Sequence, residues 1–361
     1  MVKRTSQNSK NRKILIQSTL KIPSKKQGIG IIQTSLKKKC VLMFSGGLDS
    51  RLALKIMQEQ KFEITALFFK LPFGTGCCNE GCCFNFSQLQ GIQLKIFDCT
   101  KGKLLQEYLE VIKKAEHGRG AGINPCIDCR IFMFKKAKEF ADKNKIDLVV
   151  SGEVLGERPM SQMKKSMKII EEKSRLSGRL LRPLSAKLLP ETDAEKNGLI
   201  DRIKLLDVQG RRRDKQIDLA KKFKISYPTP AGGCYLCEKE VEKKLKYLLE
   251  RGLNDKEIHL VNIGRHFLIN NCWVVLSRNE KEGKLIESIG TQGCAPKDFR
   301  RKSLLGAKKE GGLIIPDYIG PTAIILDKYE KKTTEKIKEL IKAYSKQGSL
   351  EERKKFDELR L

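Results

Sequence analysis

The chain is 361 residues long, and its 40% hydrophobic content suffices for two or three packed domains. No apolar run approaches the roughly 20 residues that cross a bilayer, which excludes a transmembrane helix. Lys and Arg number 73 against 43 Asp and Glu, a formal net charge of +30, and so basic a protein is expected to meet a polyanion, because neutralised phosphates release condensed counterions.

Residues 1–39 hold eleven Lys or Arg and no acidic residue, which reads as a solvated basic arm able to touch RNA. An acid-poor start also fits an organellar transit peptide, but this one is poor in Arg and weakly amphipathic. From Cys40 the pattern becomes regular. Residues 40–44 (CVLMF) form a continuous apolar run, as in a buried parallel strand. Leu48, Leu52 and Ile56 recur at four-residue spacing and predict a helix. Residues 64–69 (ITALFF) and 94–97 predict two more strands, with a cysteine-rich insert between them. Leu105, Tyr108, Leu109 and Ile112 mark another helix. Met133, Ala137, Phe140 and Ala141 mark one more, leading into a strand at 148–151 (LVVS). This alternation predicts an α/β fold with a doubly wound, Rossmann-like parallel sheet, ending near the Pro- and Gly-bearing stretch 227–233 (YPTPAGG). Beyond residue 240 the texture changes. Residues 267–269 and 272–276 flank Asn270-Asn271, a pair that tolerates positive φ, and predict a hairpin. A strand at 322–326 and a highly charged C-terminal helix complete a smaller α+β domain. The expected division is the arm at 1–39, the α/β domain at 40–235 and the α+β domain at 236–361.

Ser45-Gly46-Gly47-Leu48-Asp49-Ser50 follows the first predicted strand and opens a helix. Two glycines let the backbone approach an anion, and successive N–H groups with the helix dipole bind it. The hydroxyls of Ser45 and Ser50 add donors, and Asp49 can hold the Mg²⁺ that accompanies a triphosphate such as ATP. The Lys of a Walker A loop is missing, so the loop suits pyrophosphate leaving an α-phosphate rather than γ-phosphoryl transfer.

At these residues the chain resembles the PP-loop ATP pyrophosphatases, the adenine nucleotide α-hydrolase-like class. Asn124-Pro125-Cys126-Ile127-Asp128-Cys129, the run from Ser151-Gly152-Glu153 to Arg158-Pro159-Met160-Ser161-Gln162, Leu181-Arg182-Pro183-Leu184-Ser185-Ala186-Lys187 and Pro230-Ala231-Gly232-Gly233-Cys234 are similar to the branch of tRNA 4-thiouridine synthases and tRNA 2-thiouridylases. The resemblance covers roughly residues 40–235. It implies ATP binding at Ser45, Gly46, Gly47, Asp49 and Ser50, with Gly152, Arg158 and Arg182 contributing, adenylation of a uridine oxygen, and sulfur insertion. It also implies tRNA as substrate, and hydrosulfide or a donor protein as the sulfur source.

The chain has twelve cysteines, many of them in short-spaced groups with no secretory signal ahead of them, which points to metal, iron–sulfur or redox chemistry and to the cytoplasm. Cys126-x-x-Cys129 lies at the mouth of a predicted helix after the Gly-rich run from His117 to Gly122, a setting expected to favour thiolate. Cys126, Cys129 and Cys234 can hold three irons of a [4Fe–4S] cluster, leaving the fourth open to hydrosulfide, and relatives carry three such cysteines. Cys237 departs from that pattern and would complete a four-thiol zinc site. A persulfide on Cys126 or Cys129 is the third chemistry. Cys77, Cys78, Cys82 and Cys83 are either a further thiol site or an incidental insert.

Arg158, Gln162, Arg179 and Arg182 fall after the strand at 148–151, where open α/β sheets collect ligands, and Arg suits phosphate and developing negative charge. Arg211-Arg212-Arg213 reads as an RNA backbone contact or a solvated helix start, and His259 and His266 as structural or RNA-facing. Asn262-Ile263-Gly264-Arg265-His266-Phe267, Ser277-Arg278-Asn279-Glu280-Lys281-Glu282-Gly283 and Gly320-Pro321-Thr322 are similar to the RNA-binding domain of NFACT proteins, which implies a tRNA-holding module. Two other readings remain: a PP-loop ligase for a small-molecule acceptor, and a non-catalytic RNA quality-control module.

Overall fold

The computed structural model describes residues 38–74, 79–229, 234–291 and 309–361. The basic arm before residue 38, Cys77 and Cys78, and the Pro230–Gly233 part of the fourth string therefore lie outside the described residues.

The first half alternates strand and helix. In chain order it runs β1 (Lys39–Met43), α1 (Leu48–Glu59), β2 (Glu63–Lys70), α2 (Glu80–Leu89), β3 (Gln93–Asp98), α3 (Gly102–Lys114), α4 (Cys126–Lys143), β4 (Leu148–Ser151), α5 (Lys164–Ser174), β5 (Leu180–Leu181), α6 (Asp193–Lys196) and α7 (Asp214–Lys222). The strands form one all-parallel sheet in the order β3-β2-β1-β4-β5, so the expected doubly wound α/β fold is present. Alternation along β1 explains the layering. Cys40 and Leu42, with Phe44 beyond them, pack beneath α1, α2 and α7, whereas Val41 and Met43 pack beneath α3 and α4. Both faces are covered, which is why β1 reads as a continuous apolar run. The chain departs from β1 in opposite directions, toward β2 and toward β4, and the crevice at the carboxyl ends of β1 and β4 is the place where such sheets receive ligands.

The second half runs α8 (Glu242–Arg251), β6 (Arg265–Ile269), β7 (Cys272–Leu276), α9 (Glu280–Thr291), β8 (Lys309–Ile314), β9 (Ala323–Tyr329), α10 (Lys331–Ala343) and α11 (Leu350–Lys354). Its sheet is antiparallel, ordered β6-β7-β9-β8. The β6–β7 hairpin turns on Asn270 and Asn271 at φ 48 and 60, the left-handed pair that the two-residue turn demands. Along β7, Trp273 and Val275 join the cluster that also holds Tyr108 and Phe132, while Cys272, Val274 and Leu276 face Ile337, Leu340 and Ile341 of α10. Leu245, Leu248 and Leu249 of α8 lie in the same cluster as Tyr108 and Phe132, so one apolar core runs from the parallel sheet into the antiparallel one.

Candidate active site

The phosphate loop sits in the crevice at the end of β1. Gly46 takes φ 76, a conformation that L side chains resist, and Gly47 opens α1 with no side-chain cap on the helix. The first-turn N–H groups are thus presented in the arrangement that anions favour. Ser50 Oγ donates to Gly47 O (2.9 Å) and Gly47 N donates to Ser45 Oγ (3.4 Å), which tightens the turn. Arg51 is buried and braces the loop from behind, donating to Gly46 O (2.7 Å), Ser226 O (2.7 Å) and Cys82 Sγ (3.3 Å) while lying over the Phe86 ring. That bracing role carries no periodic or motif signal in the sequence.

Gly152, at the end of β4, touches the same loop. A Cβ there would stand 2.7 Å from both Asp49 C and Ser50 N, so only glycine lets the two strand ends close on each other. Asp49 Oδ1 is buried without a hydrogen-bond partner. Burial and the Glu157 carboxylate push the Asp49 carboxyl up to about 6, partly opposed by Arg213 and the Gln216 amide. Arg213 is ion-paired to Glu157. It therefore belongs to the Asp49 surroundings, whereas its neighbours Arg211 and Arg212 are exposed. Glu157 and Gln216 were not among the expected site residues; Glu157 lies within the 151–162 run but had no role assigned, and only the packing of α7 on α1 brings Gln216 near Asp49.

The arginines separate. Arg182 is 2% exposed and forms buried ion pairs with Glu153 and Glu171, so most of its donors are engaged within the fold. Arg179 grips Asp142, Ile146 O and Asp147 O at the opposite, amino-terminal end of β4. It plays no part in the crevice. Arg158 is exposed, its N–H held by Gln162 Oε1 (3.0 Å), and its charge reaches Cys237.

The thiols converge from two directions. Cys126 and Cys129 begin α4; Cys234 and Cys237 flank a short turn in which Cys237 N donates to Cys234 O (2.9 Å). Gly122, at φ 64, has backbone of the 236–238 turn where a Cβ would be (Leu236 O at 2.7 Å), and Ile123 N donates to Leu236 O (3.1 Å). The Gly-rich run before α4 is therefore the surface on which the second cysteine pair is seated. Cys129, Cys234 and Cys237 each respond to the charge of Cys126. Among the described residues, however, no group of three or more His, Cys, Asp or Glu is arranged to hold a metal ion. The thiols face protein partners instead: Cys129 Sγ meets Tyr108 OH (3.4 Å) and Cys234 Sγ donates to Phe73 O (3.2 Å). Burial pushes Cys129 up to about 11 and Cys234 up to about 12. Burial thus runs against the thiolate expected at the helix N-terminus, and outweighs the Tyr108 hydroxyl and the Arg130 charge that favour it at Cys129. Asp128, between the first two cysteines, is tied to His117 Nδ1 (2.7 Å) and His117 N (3.1 Å). Cys83 is a core residue of α2.

One segment joins the two half-sites. Between residues 152 and 162, Gly152 abuts the phosphate loop, Glu157 acts on Asp49, Arg158 acts on Cys237, and Met160 Sδ lies 2.9 Å from where a Cβ on Gly120 would sit.

Residues 35–188 match the family described as Thiamine biosynthesis protein (ThiI). The match takes in β1 through β5 of the parallel sheet. The matched stretch takes in residues 45–50 and the strings as far as Lys187, which supports the PP-loop resemblance there; the string at 230–234 lies beyond it. A "Probable tRNA sulfurtransferase" of Methanosarcina mazei is 24% identical over 136 residues, covering 36% of this chain and 32% of its own length. The "tRNA-specific 2-thiouridylase MnmA" of Sulfurimonas denitrificans is 27% identical over 123 residues, covering 32% and 35%. The chain thus spans about a third of the length of these curated relatives. A solved structure, "The crystal structure of predicted subunit of tRNA methyltransferase from Methanocaldococcus jannaschii DSM", overlaps 61% of this chain and 90% of its own at 13% identity and a TM-score of 0.34, a likeness too low to bear on function.

Proposed function

We propose that this protein is an ATP-dependent tRNA sulfurtransferase, which adenylates a uridine oxygen and replaces it with sulfur. The observation that carries the reading is the 152–162 segment, which sets a phosphate loop at one end and a cluster of thiols at the other. A ligase for small acceptors needs no such cluster, and a mere RNA binder needs neither. Both curated relatives are named for tRNA thiolation, and the +30 charge suits a polyanionic substrate.

In this mechanism the loop N–H groups and the α1 N-terminus hold the ATP phosphates, and a uridine carbonyl oxygen attacks the α-phosphorus with loss of pyrophosphate. The unpartnered Asp49 Oδ1 fits a hard divalent cation, whose usual shell is one or two carboxylates with phosphate oxygens; Mg²⁺ held there would neutralise charge on the departing pyrophosphate. Sulfur arrives as a persulfide on one thiol of the Cys126, Cys129 and Cys234 group, passed on by a persulfide-bearing donor protein. Its terminal sulfur attacks the activated carbon and expels AMP. A second thiol then attacks the carrier sulfur, releasing the thiolated base and leaving a cysteine disulfide that a cellular dithiol reduces. The donor set is soft enough for iron or zinc, but the arrangement seen does not hold a metal, so no step runs through a cluster. Residues 236–361 would hold the tRNA, and the site belongs in the cytoplasm, where thiols stay reduced.

The test combines tRNA, ATP and the purified protein with a persulfide donor, following pyrophosphate and thiolated nucleoside. Cys126→Ser is expected to keep tRNA-dependent pyrophosphate release and lose thiolated product. Product formed at the wild-type level would remove the thiols from the mechanism, and absence of tRNA-dependent pyrophosphate would end the reading. Anaerobic purification with iron and sulfide analysis decides the carrier: stoichiometric cluster would replace the persulfide step.

A further inference from the structure

The best-buried polar side chain near the loop is one that no part of the motif predicts. Gln216 stands in the first turn of α7, is 0% exposed, and makes no hydrogen bond of good geometry through either Oε1 or Nε2, its amide only leaning toward the Asp49 carboxylate. Its amide lies close enough to Asp49 to act on that carboxylate, whose own Oδ1 is equally buried and unpartnered. Buried amides almost always find partners, so two unpartnered ends on one side chain ask for an explanation. Helix packing does not supply it, because Ile217 and Ala220 already seat α7 on the cluster under α1. A cation bound to polyphosphate would supply it. Such a ligand offers positive charge to the two oxygens, Asp49 Oδ1 and Gln216 Oε1, and an anionic oxygen to Gln216 Nε2.

We propose that Gln216 is a binding residue for the metal–polyphosphate part of the nucleotide, with its Oε1 sharing the divalent cation with Asp49 Oδ1 and its Nε2 donating to a phosphate oxygen. The proposal rests on the PP-loop reading of residues 45–50 and adds α7 to that site. Arg213 and Glu157, paired to each other at the start of the same helix, hold α7 in place beside the loop without being ligands themselves.

The experiment measures binding of a non-hydrolysable ATP analogue by calorimetry, with and without Mg²⁺, and of Mn²⁺ by electron paramagnetic resonance, on the full chain. Gln216→Leu is expected to weaken binding at least ~10-fold with Mg²⁺ and less than ~3-fold without it, while the ligand-free protein melts no lower than wild type. Gln216→Glu keeps a hard oxygen and is expected to retain Mn²⁺ binding. Equal affinities for Gln216→Leu and wild type would overturn the proposal and leave the phosphate-loop reading standing, since a trapped water would then be the amide's partner. Equal losses in both variants together with lowered melting would overturn it in favour of a purely structural role. A wild-type protein that fails to bind the analogue at all would overturn both.

Discussion

The crevice of the parallel sheet and the interior of the antiparallel sheet both bury polar groups and treat them differently. In the antiparallel half, Trp273 Nε1 donates to His266 Nδ1 (3.0 Å), and His266 Nε2 is satisfied by Ile263 O (2.9 Å). Arg251 binds Asp327, Glu257 and Leu326 O while covering the Trp273 ring. Among the described residues, the buried side-chain polar atoms without a hydrogen bond all lie in the parallel half, on Asp49, Gln60, Glu153, Arg182 and Gln216; of these, Asp49 and Gln216 are at the phosphate loop, whereas Gln60 is at the far end of α1. An unpaired buried group costs about 1–3 kcal/mol. A bound ligand, ion or water offsets that cost by completing the bonding. His266 is therefore part of the scaffold, not an RNA-facing group, whereas Asp49 and Gln216 keep the unpartnered atoms that the proposed metal–nucleotide would complete.

The largest effect is expected at the contact between strand ends. Gly152→Val is expected to lose at least ~3 kcal/mol of stability and all nucleotide binding, because its Cβ meets the backbone of Asp49 and Ser50 rather than a yielding side chain; denaturant melts and calorimetry check both. Next comes pH. Burial, with Lys244, Arg278 and Arg360 nearby, pulls the His266 imidazole down to about 3. The unfolded chain takes up a proton near 6.5 that the folded one refuses, so stability falls as pH drops from 6.5 toward 3. The slope from this group is roughly 1.4 kcal/mol per pH unit. The chain's single tryptophan, Trp273, reports it directly by fluorescence. A loss no steeper in that window than in a His266→Asn variant would break the assignment.

Asp49 has the opposite sign. Its folded value is raised to about 6, so its ionisation weakens the ligand-free protein as pH rises through that value. Asp49→Asn is expected to stabilise the ligand-free protein by about 1–2 kcal/mol above pH 7 while abolishing Mg²⁺-dependent nucleotide binding; a destabilised variant would show the carboxylate to be structural. The smallest effect belongs to the hairpin. Asn271→Ala at φ 60 should cost about 0.5–1 kcal/mol and leave nucleotide binding unchanged. A loss of binding would show that the two halves are coupled through more than their shared core.

Local pattern made much of this readable. The CVLMF run, the glycine string and the Asn-Asn pair each act within a few residues, so their strand, loop and turn follow from sequence. The same is true of α3 and α4, whose apolar spacing matches the buried faces. Arg179 shows where such reading stops: it follows the right strand in sequence and lies at the wrong end of it in space. Cys129 shows a second limit, since a helix N-terminus is visible in sequence and the desolvation that defeats it is not.

What the sequence determined by itself is the order of elements, the position of the phosphate loop and the clustering of thiols in pairs, because these depend on periodicity, glycine and short spacing. Only the tertiary structure decided that Gln216 and Glu157 come to Asp49, that Gly122 seats Cys234 and Cys237 beside Cys126 and Cys129, and that Arg182 is held by Glu153 and Glu171. Those pairings join residues far apart in the chain. Burial then sets their charge and hydrogen bonding, and burial is a property of the packed whole.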